Sequence, residues 1–204
     1  MAKVLVGLGV VAAAVVLVLG ALGGPSKAIA GLTDEIRNEI IPVEGTETSY
    51  GIPLSLTSLP QFIAWWTTKV PQVENEADYG WALGSLVAPC CDDNPVFHCC
   101  CEGGPGQACN LIRSAKGLAA HLFLDLEYSA DEVRESVYEW LRFARPDYYV
   151  AAELATRGEN PAAYGLTTQG SCYRGLCNTP ISQGGCGGMN ADEILEPTLT
   201  DQDA

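Results

Sequence analysis

The stretch that decides the fold is CNLIRSAKGLAAHLFLDLEYSADEVRESVYEWLRFARP, residues 109–146. Its apolar residues recur every three or four positions, which predicts two amphipathic helices over 108–125 and 130–144. Ser129 followed by Glu132 has the spacing of a capping box at the start of the second helix, and Pro146 ends that helix. Because the link between the helices is short, we expect an antiparallel helical hairpin.

A further helix is predicted upstream in LPQFIAWWTTKV, residues 59–70, with Pro60 near its start and Pro71 as its stop. Three aromatic residues, Phe62, Trp65 and Trp66, share one face of this helix. The first interpretation is a buried face that packs on the hairpin, and the alternative is a surface for a protein partner or lipid headgroups. In the first case the core contains Leu118, Leu122, Val137, Trp140 and Leu141.

Two more helices complete a mainly α fold, a short one over 33–41 capped by Thr33 and one over 147–157 that stops at Gly158. We expect a small domain of three or four helices with a Cys-rich loop region stapled by disulfides or metal. The predicted divisions are a signal-anchor or signal peptide (1–30), a spacer (31–58), the helical domain with a central Cys cluster (59–157), a Gly- and Cys-rich loop region (158–189) and an acidic tail (190–204).

The amino-terminal segment predicts export. The run from Val4 to Ser26 carries no charge, and about twenty helical residues cross a hydrocarbon core of about 30 Å. The length favours a retained transmembrane anchor, while the Ala28-Ile29-Ala30 triplet has the form of a signal-peptide cleavage site. Either way we expect an extracytoplasmic domain, periplasmic or cell-surface, which a retained anchor would tether to the membrane.

Composition limits the partners. The formal net charge is −14 and the basic residues form no run, which argues against binding to nucleic acid because phosphate contacts require clustered Lys and Arg. The sequence contains neither a C-x-x-C-H haem attachment motif nor a nucleotide-binding motif. No constellation indicates catalysis.

Nine cysteines form two groups, a central cluster and a distal one. Disulfides persist in exported proteins, and an odd number leaves at least one cysteine for another role. One hypothesis is a disulfide-stapled interaction or structural module of a membrane assembly. The residues considered for its disulfides are Cys90, Cys91, Cys172, Cys177 and Cys186.

The second hypothesis is a soft-metal site in the central stretch FHCCCEGGPGQACN, residues 97–110. Thiolates and imidazole suit Cu(I) and Zn(II), and the turn EGGPG lets the chain fold back on the triplet. We expect copper or zinc, bound for storage, delivery or sequestration. The predicted ligands are Cys99, Cys100, Cys101 and Cys109, followed by His98 and Cys90.

A third hypothesis is thiol–disulfide exchange through Cys109. This residue lies at a predicted helix start, where the helix dipole and the unbonded N–H groups of the first turn lower a thiol pKa.

Two family resemblances accompany these hypotheses. PCCDDNPVFHCCCEGGPGQACN, residues 89–110, resembles the exported proteins named for a PCYCGC motif, which implies an exported Cys-rich protein that binds metal. The layout of residues 109–141 is similar to the three-helix redox domain of CcmH-type cytochrome c maturation proteins. That resemblance assigns Cys109 to a redox pair, although the partner position holds Gly106 or Gln107. Ser129 and Glu132 match the turn of that domain, and Tyr128 replaces its Gly.

Overall fold

The computed structural model describes residues 27–91, 94–99 and 108–196. Those residues form six α-helices and no β-strand, which confirms the mainly α prediction. The helices are α1 Lys27–Ile40, α2 Leu59–Val73, α3 Ala77–Gly84, α4 Asn110–Asp125, α5 Ala130–Ala144 and α6 Pro146–Thr156. The predicted anchor lies almost wholly outside the described residues, and among the described helices none has the length and apolar character to cross a bilayer.

The helical hairpin is confirmed as α4 and α5. Ser129 and Glu132 form the predicted capping box, with the Ser129 amide donating to Glu132 Oε2 over 2.8 Å. The five residues predicted for the core, Leu118, Leu122, Val137, Trp140 and Leu141, are all fully buried. The indole of Trp140 also donates a hydrogen bond to Ser114 Oγ across the hairpin, over 2.9 Å.

Helix α2 packs on α4 at very short range, and Gly117 makes this possible. A Cβ atom at Gly117 would lie 1.9 Å from the carbonyl oxygen of Phe62 and 2.6 Å from the amide nitrogen of Trp66. The ring of Phe62 is buried and meets Trp140 edge-on, with 5.0 Å between ring centres. The aromatic face of α2 is therefore largely an internal packing surface.

The other two aromatic residues of α2 are half-buried against polar groups of α4. Trp65 stacks on the ring of His121, with 3.8 Å between centres, and His121 contacts Asp125 over 2.6 Å. Trp66 lies beneath the guanidinium of Arg113, which is 4.7 Å from the ring centre. Both contacts fix the register of α2 on α4.

Two helix boundaries differ from the sequence-based expectation, and one helix was not expected. Pro71 does not stop α2, which continues to Val73. Its missing N–H costs only one hydrogen bond close to the helix end, and the amide of the C-cap residue Glu74 still donates to the Val70 carbonyl. Helix α3 was not predicted, and α1 begins at Lys27 rather than at a Thr33 cap. Within α1, Ile36 packs on Val150 and Leu154 of α6.

Residues 158–189 form a loop region, with two short 3₁₀ turns at Pro161–Tyr164 and Ile181–Gln183. A disulfide joins Cys172 to Cys177 within it. We call residues 170–190 the distal loop. It is the part of the loop region that reaches the start of α4.

Candidate metal centre

The first turn of α4 holds the distal loop. A helix start leaves backbone N–H groups without intrahelical partners. Here the amides of Asn110 and Leu111 donate to the carbonyls of Gly188 and Cys186, over 2.9 and 3.1 Å. These bonds place Cys186 next to Cys109, the residue that precedes the helix.

The side chain of Asn110 strengthens the same contact. It is fully buried, and its Nδ2 atom donates to the carbonyls of Gly187 and Asn190 over 2.8 and 2.9 Å. One amide group therefore fixes the backbone that follows Cys186.

The amino-terminal end of the distal loop, near Gly170 and Cys172, packs against Cys90. The amide of Cys172 donates to the Cys90 carbonyl over 3.0 Å. A Cβ atom at Gly170 would lie 2.7 Å from that carbonyl, so only glycine permits this approach. The distal loop thus spans from Cys90 to the start of α4.

Three thiols converge at this junction. The Sγ atoms of Cys90, Cys109 and Cys186 all lie within 4.8 Å of one another, and the three side chains are fully buried. None of the three is in a disulfide. We call these residues the thiol trio.

A second sulfur group adjoins the trio and shares Cys90. Cys99 Sγ lies 3.6 Å from Cys90 Sγ and 3.1 Å from Cys91 Sγ. Cys91, however, is disulfide-bonded, and a disulfide sulfur cannot act as a thiolate ligand. The thiol trio is therefore the better candidate for a metal.

The thiol trio shares one negative charge. Hydrogen bonds from Cys109 and Cys90 lower the pKa of the Cys186 thiol to about 4, and the positive charge of Arg145 acts in the same direction. The pKa of Cys109 is raised, chiefly by its hydrogen bond to Cys186, and the pKa of Cys90 is raised, chiefly by its hydrogen bond to Cys109. At neutral pH the trio thus holds one thiolate and two protons.

Arg145 supplies a buried countercharge. Its guanidinium donates to Ser171 Oγ and to the Gly185 carbonyl, the latter over 3.1 Å. Burial lowers the pKa of Arg145, while the nearby cysteine sulfurs, Cys186 first, act to raise it. A cation held between α5 and α6 therefore faces the sulfur atoms and stabilises the thiolate of the trio.

The predicted ligands are placed as follows. Cys90 and Cys109 belong to the thiol trio, and Cys99 lies beside it. His98 is exposed, its ring packed edge-on against Phe97, and it is not among the described residues whose ligand atoms converge. Cys100 and Cys101 lie outside the described residues.

The third member of the trio, Cys186, was considered only for a disulfide. The sequence signal that points to it is GGCGGM, residues 184–189, where the glycines allow the backbone to pass close to its neighbours. At Gly185, a Cβ atom would lie 2.0 Å from the Thr179 carbonyl oxygen. Met189, at the end of this motif, is half-buried against the core.

Comparison with protein-family models, with curated proteins and with solved structures found no match. The two family resemblances therefore stay predictions. On geometry alone, the cysteine clusters have the arrangement to bind a metal ion or to form disulfides.

Proposed function

We propose that this protein is an exported, membrane-tethered domain that binds one soft transition-metal ion through Cys90, Cys109 and Cys186. The observation that carries the proposal is the convergence of three buried thiols, none of them in a disulfide, from three separate segments of the chain. Packing alone does not require buried thiols to lie with their sulfur atoms together. A metal ion would account for this arrangement, because it replaces two protons and links the three segments.

Cu(I) fits the thiol trio better than Zn(II). Thiolates favour both ions, but Zn(II) in structural sites takes four ligands in a tetrahedron. Three sulfur atoms match the trigonal coordination that Cu(I) accepts. Cys99, 3.6 Å from Cys90, is the nearest further sulfur for a fourth bond.

The burial of the trio favours storage, delivery or sequestration over catalysis. A catalytic metal site keeps one coordination position open to water or substrate, whereas all three side chains here are fully buried. The uncharged segment from Val4 to Ser26 supports the export and tethering part of the proposal.

The test is metal binding by the full-length protein, purified anaerobically and titrated with Cu(I) against a competing chelator. We expect one ion per chain. In the Cys186→Ser and Cys109→Ser variants the affinity falls by more than about 100-fold, beyond the loss that outer-shell changes typically cause. The control is the Cys172→Ser/Cys177→Ser double variant, which removes two sulfurs outside the trio and should keep the affinity.

Counting free thiols by alkylation and intact mass, before metal is added, provides the second readout. Three or more alkylated cysteines are required for the proposal. A protein with eight bridged cysteines and no metal would instead be a disulfide-stapled module, and the proposal would be wrong.

A further inference from the structure

Within the distal loop, a disulfide that lies outside the thiol trio contacts one thiol of the trio. Cys186 Sγ is 3.6 Å from Cys172 Sγ, and Cys172 is bonded to Cys177. At this separation the two sulfur atoms touch, and a thiolate that touches a disulfide sulfur is placed to attack it. The disulfide is half-exposed, whereas Cys186 is fully buried.

The backbone of the distal loop maintains this contact. The amide of Cys186 donates to the Leu176 carbonyl over 3.3 Å, and the amide of Gly188 donates to the Cys177 carbonyl over 3.1 Å. These bonds join the segment that carries Cys186 directly to the segment that carries the disulfide. The contact between sulfurs is thus built into the fold of the loop and does not depend on a flexible side chain alone.

We propose that Cys172–Cys177 is an exchangeable disulfide and that Cys186 is its internal attacking thiol. In this step the Cys186 sulfur attacks Cys172 Sγ and a Cys172–Cys186 bond forms. The Cys172–Cys177 bond breaks, its electron pair leaves on the Cys177 sulfur, and Cys177 takes up the proton that Cys186 gave up. One disulfide replaces another, so that no external oxidant or reductant is consumed.

The exchange would connect the protein surface with its interior. It releases a half-exposed thiol at Cys177 and removes Cys186 from the thiol trio. Because the metal and the disulfide need the same sulfur, a bound metal ion blocks the exchange, and the exchange dismantles the metal site. This coupling rests on the proposed function, whereas the exchange itself does not.

The experiment uses the metal-free full-length protein at pH 8, without reductant, under native conditions. Iodoacetamide is added to trap any released thiol, and disulfides are then mapped by proteolysis and mass spectrometry. We expect alkylated Cys177 together with a Cys172–Cys186 disulfide, and both increase with time. An intact Cys172–Cys177 disulfide beside an alkylated Cys186 would overturn the proposal.

Two variants separate exchange from loosened folding. Cys186→Ser removes the attacking sulfur, and Cys177 should then stay bridged and unlabelled. Ser129→Ala loosens the start of α5 without touching a sulfur atom and should leave the exchange intact. If Cys177 becomes labelled equally fast in the Cys186→Ser variant, the attack comes from elsewhere and the proposal fails.

Repeating the trapping with one equivalent of Cu(I) distinguishes this inference from the proposed function. If the protein binds Cu(I) tightly but its metal-free form shows no exchange, only the exchange proposal is refuted. If the protein shows exchange but does not bind Cu(I), only the metal-binding proposal is refuted. Exchange that Cu(I) suppresses supports both.

Discussion

Replacing Gly117 with alanine tests the packing on which the helical domain depends. The added methyl group would lie 1.9 Å from the Phe62 carbonyl oxygen and 2.6 Å from the Trp66 amide nitrogen, whereas ordinary contacts of a Cβ atom fall at 3.4–4 Å. Both opposing atoms belong to the α2 backbone, so no side-chain rotation relieves the clash. Helix α2 must therefore move away from α4 by roughly 1.5 Å, a shift that a close-packed interior resists.

The magnitude follows from two opposing terms. Overpacking a core costs about 1–3 kcal/mol, occasionally more, and a backbone clash belongs at the upper end. Alanine returns about 1 kcal/mol through its better helix propensity. We expect Gly117→Ala to lower the free energy of unfolding by about 2 kcal/mol, which at this chain length lowers Tm by roughly 4–8 °C.

Gly31→Ala is the matched control. Gly31 is an exposed residue inside α1, and a Cβ atom there meets nothing within 4 Å. The same chemical change should therefore stabilise the protein by about 0.5–1 kcal/mol. The measurement is urea unfolding of both variants, followed by circular dichroism. A Gly117→Ala protein as stable as the wild type would refute the close packing of α2 on α4.

Three further predictions concern the metal site and the caps. Cu(I) binding to three thiolates displaces the two protons held by the trio, and protons are scarcer at higher pH. The affinity for Cu(I) should therefore rise about 100-fold per pH unit between pH 6 and 8. Chelator competition at several pH values measures this slope, and a flat profile contradicts the proton count. Asn110→Ala removes two hydrogen bonds from a buried side chain to the distal loop, at about 1 kcal/mol each. We expect faster proteolysis of that loop and weaker metal binding. Asn110→Asp is the shape-matched comparison. Unchanged cleavage would show that the Asn110 side chain does not hold the loop. Ser129→Ala removes the α5 capping box and should cost about 1 kcal/mol in urea unfolding, with metal affinity unchanged.

The hairpin could be predicted from the sequence because its signals are local. The apolar repeat of α4 and α5, the Ser129–Glu132 box and Pro146 each act within a few residues. Helix α3 escaped prediction since it has only eight residues, and its N-cap, Glu76, makes no capping hydrogen bond with its side chain. Its place is set by burial of Tyr79 and Leu83 against the rest of the core.

Cys90 and Cys109 were among the predicted ligands, but the complete thiol trio could not be predicted because none of its contacts is local. Cys186 lies next to Cys109 only because the first-turn amides of α4 bind the distal loop. Cys90 is brought to them by the backbone hydrogen bond from Cys172 and by the close approach that Gly170 allows. The sequence-based ligands were chosen for their proximity along the chain. Proximity in space was decided instead by backbone hydrogen bonds from a segment far downstream.

The docking of the distal loop by Asn110 has a consequence for the order of events during maturation. Cys172 and Cys177 are near neighbours in sequence and can meet in an unfolded chain, whereas the thiol trio exists only once α4 has formed and the loop has docked. Under the proposed function, a nascent chain therefore offers no high-affinity site for metal. The ion would be the last component to be added, after the chain has reached its final fold.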